Sequence, residues 1–205
     1  MRTILLTCCL FMGTILSAQN NVLIEIENAN AAYKVITGDF VRTQTNVAKG
    51  TSIKADGTLY IVGEDQMAQY YKAPSTDLLI INGNDFYMIR GKKTNKFNTE
   101  KNKTMRSLRN TLLYCVHGKP MVLATENGAE ITAEKKANEY EVVLISTKKT
   151  ARGYAKIVLT YDLKSKLLTK MRMDEYNGNS TLYEMNNLKT NGNIDAKVFD
   201  IPEKK

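Results

Sequence analysis

Apolar positions along this chain follow two periods. From Asn20 to about Ile36 the spacing is helical: Val22, Ile26, Ala29, Tyr33 and Ile36 recur three or four residues apart, which predicts a one-sided helix. Asn20 or Asn21 can cap its start, and Gly38 can end it in the left-handed conformation. The period then falls to two. Asp39–Val47 alternates around Phe40, and Ile53, Ala55, Gly57, Leu59 and Ile61 alternate with Lys54, Asp56, Thr58 and Tyr60. Met67–Lys72, Leu78–Ile81 and Phe86–Ile89 are three further strands, with a turn at Gly63-Glu64-Asp65-Gln66 and a break at Pro74-Ser75. The Asn82-Gly83 pair between the last two predicts a tight hairpin, because both residues tolerate positive φ. Lys96–Thr99 is a short polar sixth strand.

Helical spacing returns at Thr104–His117, where Met105, Leu108, Leu112 and Cys115-Val116 share a face and Gly118 and Pro120 end the pattern. Five more strands follow: Ile131–Lys136, Glu139–Ser146, Tyr154–Tyr161, Leu167–Asp174 and Ser180–Lys189, separated by short turns, one of them Thr147–Gly153. The pattern predicts a mainly β (α+β) domain of about eleven antiparallel strands and two helices. So long a meander curls to hide its edges and apolar face. A closed barrel and a half-barrel closed by helices both satisfy this. The helices do not alternate with the strands, which excludes a doubly wound α/β fold. With no repeat and no linker, residues 19–205 read as one domain.

The first residues are read as a leader. Arg2 precedes an uncharged apolar run, Ile4–Leu16, and Ser17-Ala18-Gln19 offers a cut after Ala18. A run of about 13 residues is too short to span a bilayer that needs about 20, so residues 1–18 read as a secretory signal peptide. Cys8 and Cys9 follow no lipobox, which argues against lipidation. They leave with the leader, so Cys115 stands alone in an exported chain and no internal disulfide forms. Without Arg2 the mature chain has 28 basic and 21 acidic side chains, a net +7. An exported basic protein meets anionic surfaces rather than nucleic acid. Apolar content of 43% with 24% charged residues is ordinary for a folded domain.

Catalytic chemistry finds little support. His117 is the sole histidine, and two helix residues two apart point in different directions, so a Cys115–His117 hydrolase pair is geometrically disfavoured. A cation-capable residue at a helix C-terminus is the plainer reading. No cluster has metal-ligand spacing, and no phosphate loop or dinucleotide fingerprint occurs, so no cofactor is expected. Between Arg90 and Arg109 there are eight Lys or Arg and one acid, Glu100. Arg90, Lys92, Lys93 and Lys96 are candidates for contact with an anionic partner or lipid headgroups, against a plain solvated hairpin tip. Met67, Met88, Met105, Met121, Met171, Met173 and Met185 are flexible apolar filler, suited to a core or to a cavity with variable contents.

Several stretches, in order, resemble one family. They are Phe40-Val41-Arg42-Thr43-Gln44, Gly57-Thr58-Leu59-Tyr60-Ile61, the Ile80–Tyr87 hairpin with its Gly turn, and the closing run from Asn187 through Ile194-Asp195 and Phe199 to Pro202. Together they are similar to the periplasmic outer-membrane lipoprotein carrier family, LolA, over Val22–Pro202. The resemblance implies an unclosed β-barrel whose concave face is covered by a helical lid and an N-terminal helix. It implies a periplasmic, monomeric carrier with no enzymatic activity, which shields the acyl chains of lipoproteins and ferries them from the inner to the outer membrane. An inner-membrane exporter complex would hand the lipoprotein over and an outer-membrane acceptor would take it. Cavity and lid then fall to Phe40, Leu59, Ile61, Met67, Leu79, Ile81, Phe86, Met88, Met105, Leu108, Leu112 and Val116. A lipid- or lipoprotein-sensing regulator of the same fold is the alternative. Two departures stand out. The family's Arg-Pro pair after the Gly-x-Leu strand is replaced by Gly63-Glu64-Asp65-Gln66, so lid control by that arginine does not carry over. The chain also stops at Lys205, without the C-terminal extension that some members use for one-way transfer.

Overall fold

The computed structural model describes residues 20–75, 77–148 and 153–201. The expected leader, residues 1–18, and part of the turn expected at 147–153 lie outside them. Period-two patterning builds two meanders. The first is β1 (Val35–Asn46), β2 (Thr51–Val62), β3 (Gln66–Tyr71), β4 (Leu78–Asn82), β5 (Asp85–Arg90) and β6 (Lys93–Asn98). The second is β7 (Ala129–Lys135), β8 (Glu139–Ser146), β9 (Tyr154–Asp162), β10 (Leu168–Glu175) and β11 (Ser180–Thr190). Each strand pairs with the next, and β1 pairs with β11 to join the halves into one antiparallel eleven-stranded sheet. β6 and β7 are its unpaired edges, so the barrel does not close. The sheet nevertheless wraps, since Phe86 of β5 and Val142 of β8 belong to one apolar cluster.

Three α-helices are present among the described residues. α1 (residues 20–31) buries Leu23 and Ile26 in the concave core. Tyr140 Oη donates to Glu25 at 2.8 Å and Lys166 pairs with the same carboxylate at 2.8 Å, which holds Glu25 below the usual carboxylate range. The helix stops well before Ile36. Val35 and Ile36 are instead the first residues of β1, paired with Val62 and Ile61. Gly38 is not a helix cap. It lies in β1 where the pairing with β11 slips between Thr37 and Asp39.

α2 (Lys103–Val116) starts one residue before the expected Thr104, capped by Asn102, whose Oδ1 accepts from the Met105 N–H at 3.0 Å. Gly118 ends it at φ +63°; a Cβ there would sit 2.8 Å from Asn30 Nδ2 and 2.9 Å from Ile26 Cγ2. The bare backbone is what lets α1 press against this corner. α3 (Pro120–Asn127) was not expected, because Pro120 reads as a terminator. Proline is equally suited to a first helical turn, and here it occupies that position.

The sheet's two faces are both covered over β3–β5. Ala68, Leu78, Ile80, Tyr87 and Ile89 form a second cluster on the convex side, closed by Phe199 from a 3₁₀ turn at Ala196–Phe199. Tyr70 Oη donates to the Val198 carbonyl at 2.9 Å. This double burial explains the unbroken apolar run Leu78–Ile81. The sixth strand starts earlier than its apolar content indicates, because Lys93 and Thr94 pair with Arg90 and Ile89. The expected tight turn before β5 is present, with Gly83-Asn84 as its two-residue loop flanked by the Asn82–Asp85 pair.

Candidate ligand-binding site

Strand pairing assembles the concave face in cross-strand rows. Ile36, Ile61, Met67, Ile81, Phe86 and Phe97 are successive partners across β1–β6. A second row crosses the other half: Ala55, Arg42, Tyr183, Met171, Leu159, Val142 and Ala133. Phe40 faces Met185 and lies edge-on to Tyr71, ring centroids 4.9 Å apart. Its ring also covers Gly57, where a Cβ would come within 2.8 Å of two ring atoms.

All twelve residues assigned to cavity and lid fall in or against this one cluster. Phe40, Leu59, Ile61, Met67, Leu79, Ile81, Phe86, Leu112 and Val116 are buried, while Met88, Met105 and Leu108 are half-buried. The same holds for the seven methionines named above, every one of which packs in or against the cluster. Residues of β7–β11 complete the face, notably Leu144, Ile157, Leu159 and Met173. The selection above passed over them, although their alternation carried the same signal.

α2 lies across this face and divides in two. Its C-terminal half is packed: Leu112 is 1% and Val116 4% exposed. Only a void of about 10 Å³ remains where Val116 meets Leu59, Ile61 and Met185. Its N-terminal half is not filled beneath. Met105, Leu108 and Tyr154 line a cavity of about 360 Å³, rimmed by Lys103, Ser107 and Glu175. Ser107 and Tyr154 also border an adjoining hollow of about 290 Å³ that reaches Leu144 and Ile157. Of the assigned residues, Met105 and Leu108 border this open space; the other ten are held in the packed part of the cluster.

Polar contacts tie the helix to its surroundings. Arg109 Nε donates to the Gly83 carbonyl at 2.8 Å and Arg106 Nε to that of Thr99 at 2.9 Å. Asn110 Nδ2 and Tyr114 Oη both donate to Glu126 of α3, at 2.9 and 3.0 Å. At the α2–α3 corner, Lys119 pairs with Glu64 at 2.8 Å. Glu64 belongs to the turn between β2 and β3, and the lysine holds its carboxyl below the usual range.

The basic candidates do not converge on the cavity. Lys96 pairs with Asp85 at 2.8 Å and lies over the Tyr87 ring. Arg90 reaches Asp77 at 4.0 Å. Lys92 and Lys93, at the exposed β5–β6 turn, meet no carboxylate among the described residues.

Cys115 is fully buried and burial pushes its thiol up, away from the thiolate. His117 is not the expected helix-terminal cation. It is 7% exposed, its Nε2 has no hydrogen-bond partner, and burial, aided by Lys119, lowers its pKa to about 4. Among the described residues no group of carboxylates, cysteines and histidine could hold a metal ion, and no helix is long and apolar enough to cross a membrane.

A curled antiparallel sheet with an apolar concave face, plugged by a helix over a partly filled cavity, defines a binding protein of the open-barrel class. The chain belongs to the LolA family: residues 31–202 match the family described as outer membrane lipoprotein carrier protein LolA. It is a family of binding and carrier proteins of the bacterial envelope, not of enzymes. No curated protein matches the sequence. Among solved structures, a DUF1329 family protein from Desulfovibrio piger shares 10% identity at a TM-score of 0.51, covering 91% of this chain and 97% of its own. A LolA superfamily protein from Nitrosomonas europaea shares 9% identity, covering 88% of this chain and 97% of its own at a TM-score of 0.44. The Mycobacterium tuberculosis lipoprotein LppX shares 13%, covering 85% and 97%, at a TM-score of 0.42.

Proposed function

We propose that this protein is a periplasmic carrier that shelters the acyl chains of lipoproteins in its concave face and moves them from the inner to the outer membrane. On this reading residues 1–18 are a cleaved signal peptide and the mature protein works as a monomer. It receives cargo from an inner-membrane exporter complex and passes it to an outer-membrane acceptor where one exists. The observation that carries the reading is the division of α2. Its N-terminal half lies over about 360 Å³ of space lined by Met105, Leu108 and Tyr154, while its C-terminal half occupies the apolar face that a longer chain would need.

An acyl chain offers no polar handle, so affinity must come from apolar area at about 25 cal/mol per Å². Burying a few hundred Å² yields several kcal/mol, against which displacement of Leu112 and Val116 must be set. That competition keeps binding reversible, since the ligand gains only the difference between the open and closed states. Mass spectrometry of the protein purified gently from the periplasm tests the proposal. Acylated protein or lipid should be recovered with it. Recovery of the protein with no acylated species, together with failure to bind any added long-chain amphiphile, would overturn it.

A further inference from the structure

One member of the second concave row is out of character. Between Ala55 and Tyr183, in a row that otherwise continues through Met171, Leu159, Val142 and Ala133, stands Arg42. Its guanidinium carbon lies 4.7 Å from the centre of the Tyr71 ring. Stacking of this kind orients the planar fork, but it satisfies none of the N–H groups. Nε is buried with no hydrogen-bond partner, and among the described residues no carboxylate lies within 4.0 Å of the group. The side chain as a whole is half-buried, and a buried N–H without a partner calls for an explanation.

The surroundings are those of a polar site at the edge of an apolar one. Tyr71 Oη donates to Gln69 Oε1 at 3.3 Å, and Phe40 stands edge-on to the same tyrosine. Tyr183, the direct cross-strand partner of Arg42, is close enough to both Tyr71 and Tyr154 to reinforce the rise that burial causes in their phenol pKa values. Tyr154 lines the cavity under α2, so the guanidinium, the three phenols and the cavity lie along one stretch of wall. Ala55, opposite Arg42 on β2, has a short side chain. The carboxylate that lines the cavity with Tyr154, Glu175, accepts from Asn177 Nδ2 at 3.1 Å and lies beyond 4.0 Å from any Arg or Lys nitrogen among the described residues.

We propose that Arg42, with the hydroxyl of Tyr183, binds the anionic head of an acyl-chain ligand whose tail enters the cavity beneath α2. This rests on the acyl-binding reading above and extends it from the neutral, ester- or amide-linked chains of lipoproteins to free chains bearing a carboxylate or phosphate. A guanidinium fork meets either group with two parallel hydrogen bonds. The Tyr183 phenol adds a neutral donor that does not repel the anion, while Tyr71, whose O–H goes to Gln69, orients the fork.

Three probes sharing one tail separate head from chain: laurate, dodecyl phosphate and dodecanol, each titrated below its aggregation concentration at pH 8 by displacement of a fluorescent apolar dye. The wild-type protein should bind laurate and dodecyl phosphate at least tenfold more tightly than dodecanol. Arg42→Gln should abolish that preference and leave dodecanol affinity unchanged; Tyr183→Phe should reduce it partially. Arg42→Lys, which keeps the charge and loses the fork, serves if Arg42→Gln does not fold, and should retain less than half of the preference on a logarithmic scale. Equal affinity for the three probes in the wild type, or a preference that survives Arg42→Gln, overturns the inference and leaves the acyl-binding reading standing. Competition by millimolar acetate or inorganic phosphate as strong as that by laurate also overturns it, by showing an anion site independent of the tail. Binding of none of the three probes overturns the inference, and removes the acyl-binding reading too if purification also recovers no acylated species.

Discussion

Leu108 and Leu112 are one helical turn apart on α2, on the same apolar stripe, and in sequence they are equivalent. In the fold they are not. Leu112 is 1% exposed in the packed half of the helix, while Leu108 is half-buried on the wall of the cavity that also contains Glu175. Leu112→Glu buries an unpaired carboxylate and empties a leucine-sized space, which costs about 4 kcal/mol or more. Leu108→Glu places its carboxylate where water already reaches, and should cost about 1 kcal/mol of stability. Its effect on an acyl ligand is larger. Removing one leucine's share of apolar contact, about 60 Å² at 25 cal/mol per Å², forfeits about 1.5 kcal/mol, and desolvating a carboxylate against hydrocarbon adds about 2 kcal/mol or more. Together these weaken retention by about two orders of magnitude. Urea denaturation gives the stability of each variant, and displacement of a fluorescent fatty-acid probe gives retention. Loss of about 4 kcal/mol by Leu108→Glu would show that the N-terminal half of α2 is ordinary core. Undiminished retention in a stable Leu108→Glu protein would show that the cavity does not hold the chain.

Three further outcomes follow from the same geometry. His117 has a folded pKa of about 4 against an ordinary 6.5; the unfolded chain therefore takes up the proton first, and stability that is complete above pH 6.5 should fall by up to about 3 kcal/mol toward pH 4. Urea titrations at several pH values should show this slope, reduced in His117→Gln. Gly118→Ala should lower stability by about 2 kcal/mol, because the residue holds φ +63° and its Cβ would press on Asn30 and Ile26 of α1; a thermal melt reads it directly. Phe199→Ala should cost about 3 kcal/mol by opening the convex cluster, yet leave acyl retention unchanged, since Phe199 is on the opposite side of the sheet from α2; a parallel fall in retention would refute that separation of faces.

The strands were legible because most of them carry period two on at least one face, as in β8, where buried Tyr140, Val142 and Leu144 alternate with half-buried or exposed neighbours. The misreadings share a cause: a local signal compatible with two structures, decided by a distant partner. Ile36 continues the three-and-four spacing of α1, yet pairing with Ile61 and Thr190 draws it into β1. Pro120 is as good a helix opener as a stop, and α3 lacks the one-sided pattern that would reveal it, because apolar Met121 and Val122 lie off the face that buries Pro120, Leu123 and Ala124.

The site was legible to the same depth. Alternation shows which residues share a face, but three irregularities, at Thr37/Asp39, Leu168/Lys170 and Asp174/Glu175, reset that alternation where β1 and β10 meet their neighbours. Tyr154 reaches the cavity through the last of them: opposite Glu175 the register shifts, and the ring turns inward beside Leu108. The contrast between Leu108 and Leu112 is likewise invisible in any heptad count. It depends on which strand ends the helix crosses, and hence on the curl of a sheet whose two halves meet only through the β1–β11 pairing. A carrier and a solid core can be written with nearly the same apolar pattern, and in this chain the difference lies in how far α2 fills the face it covers.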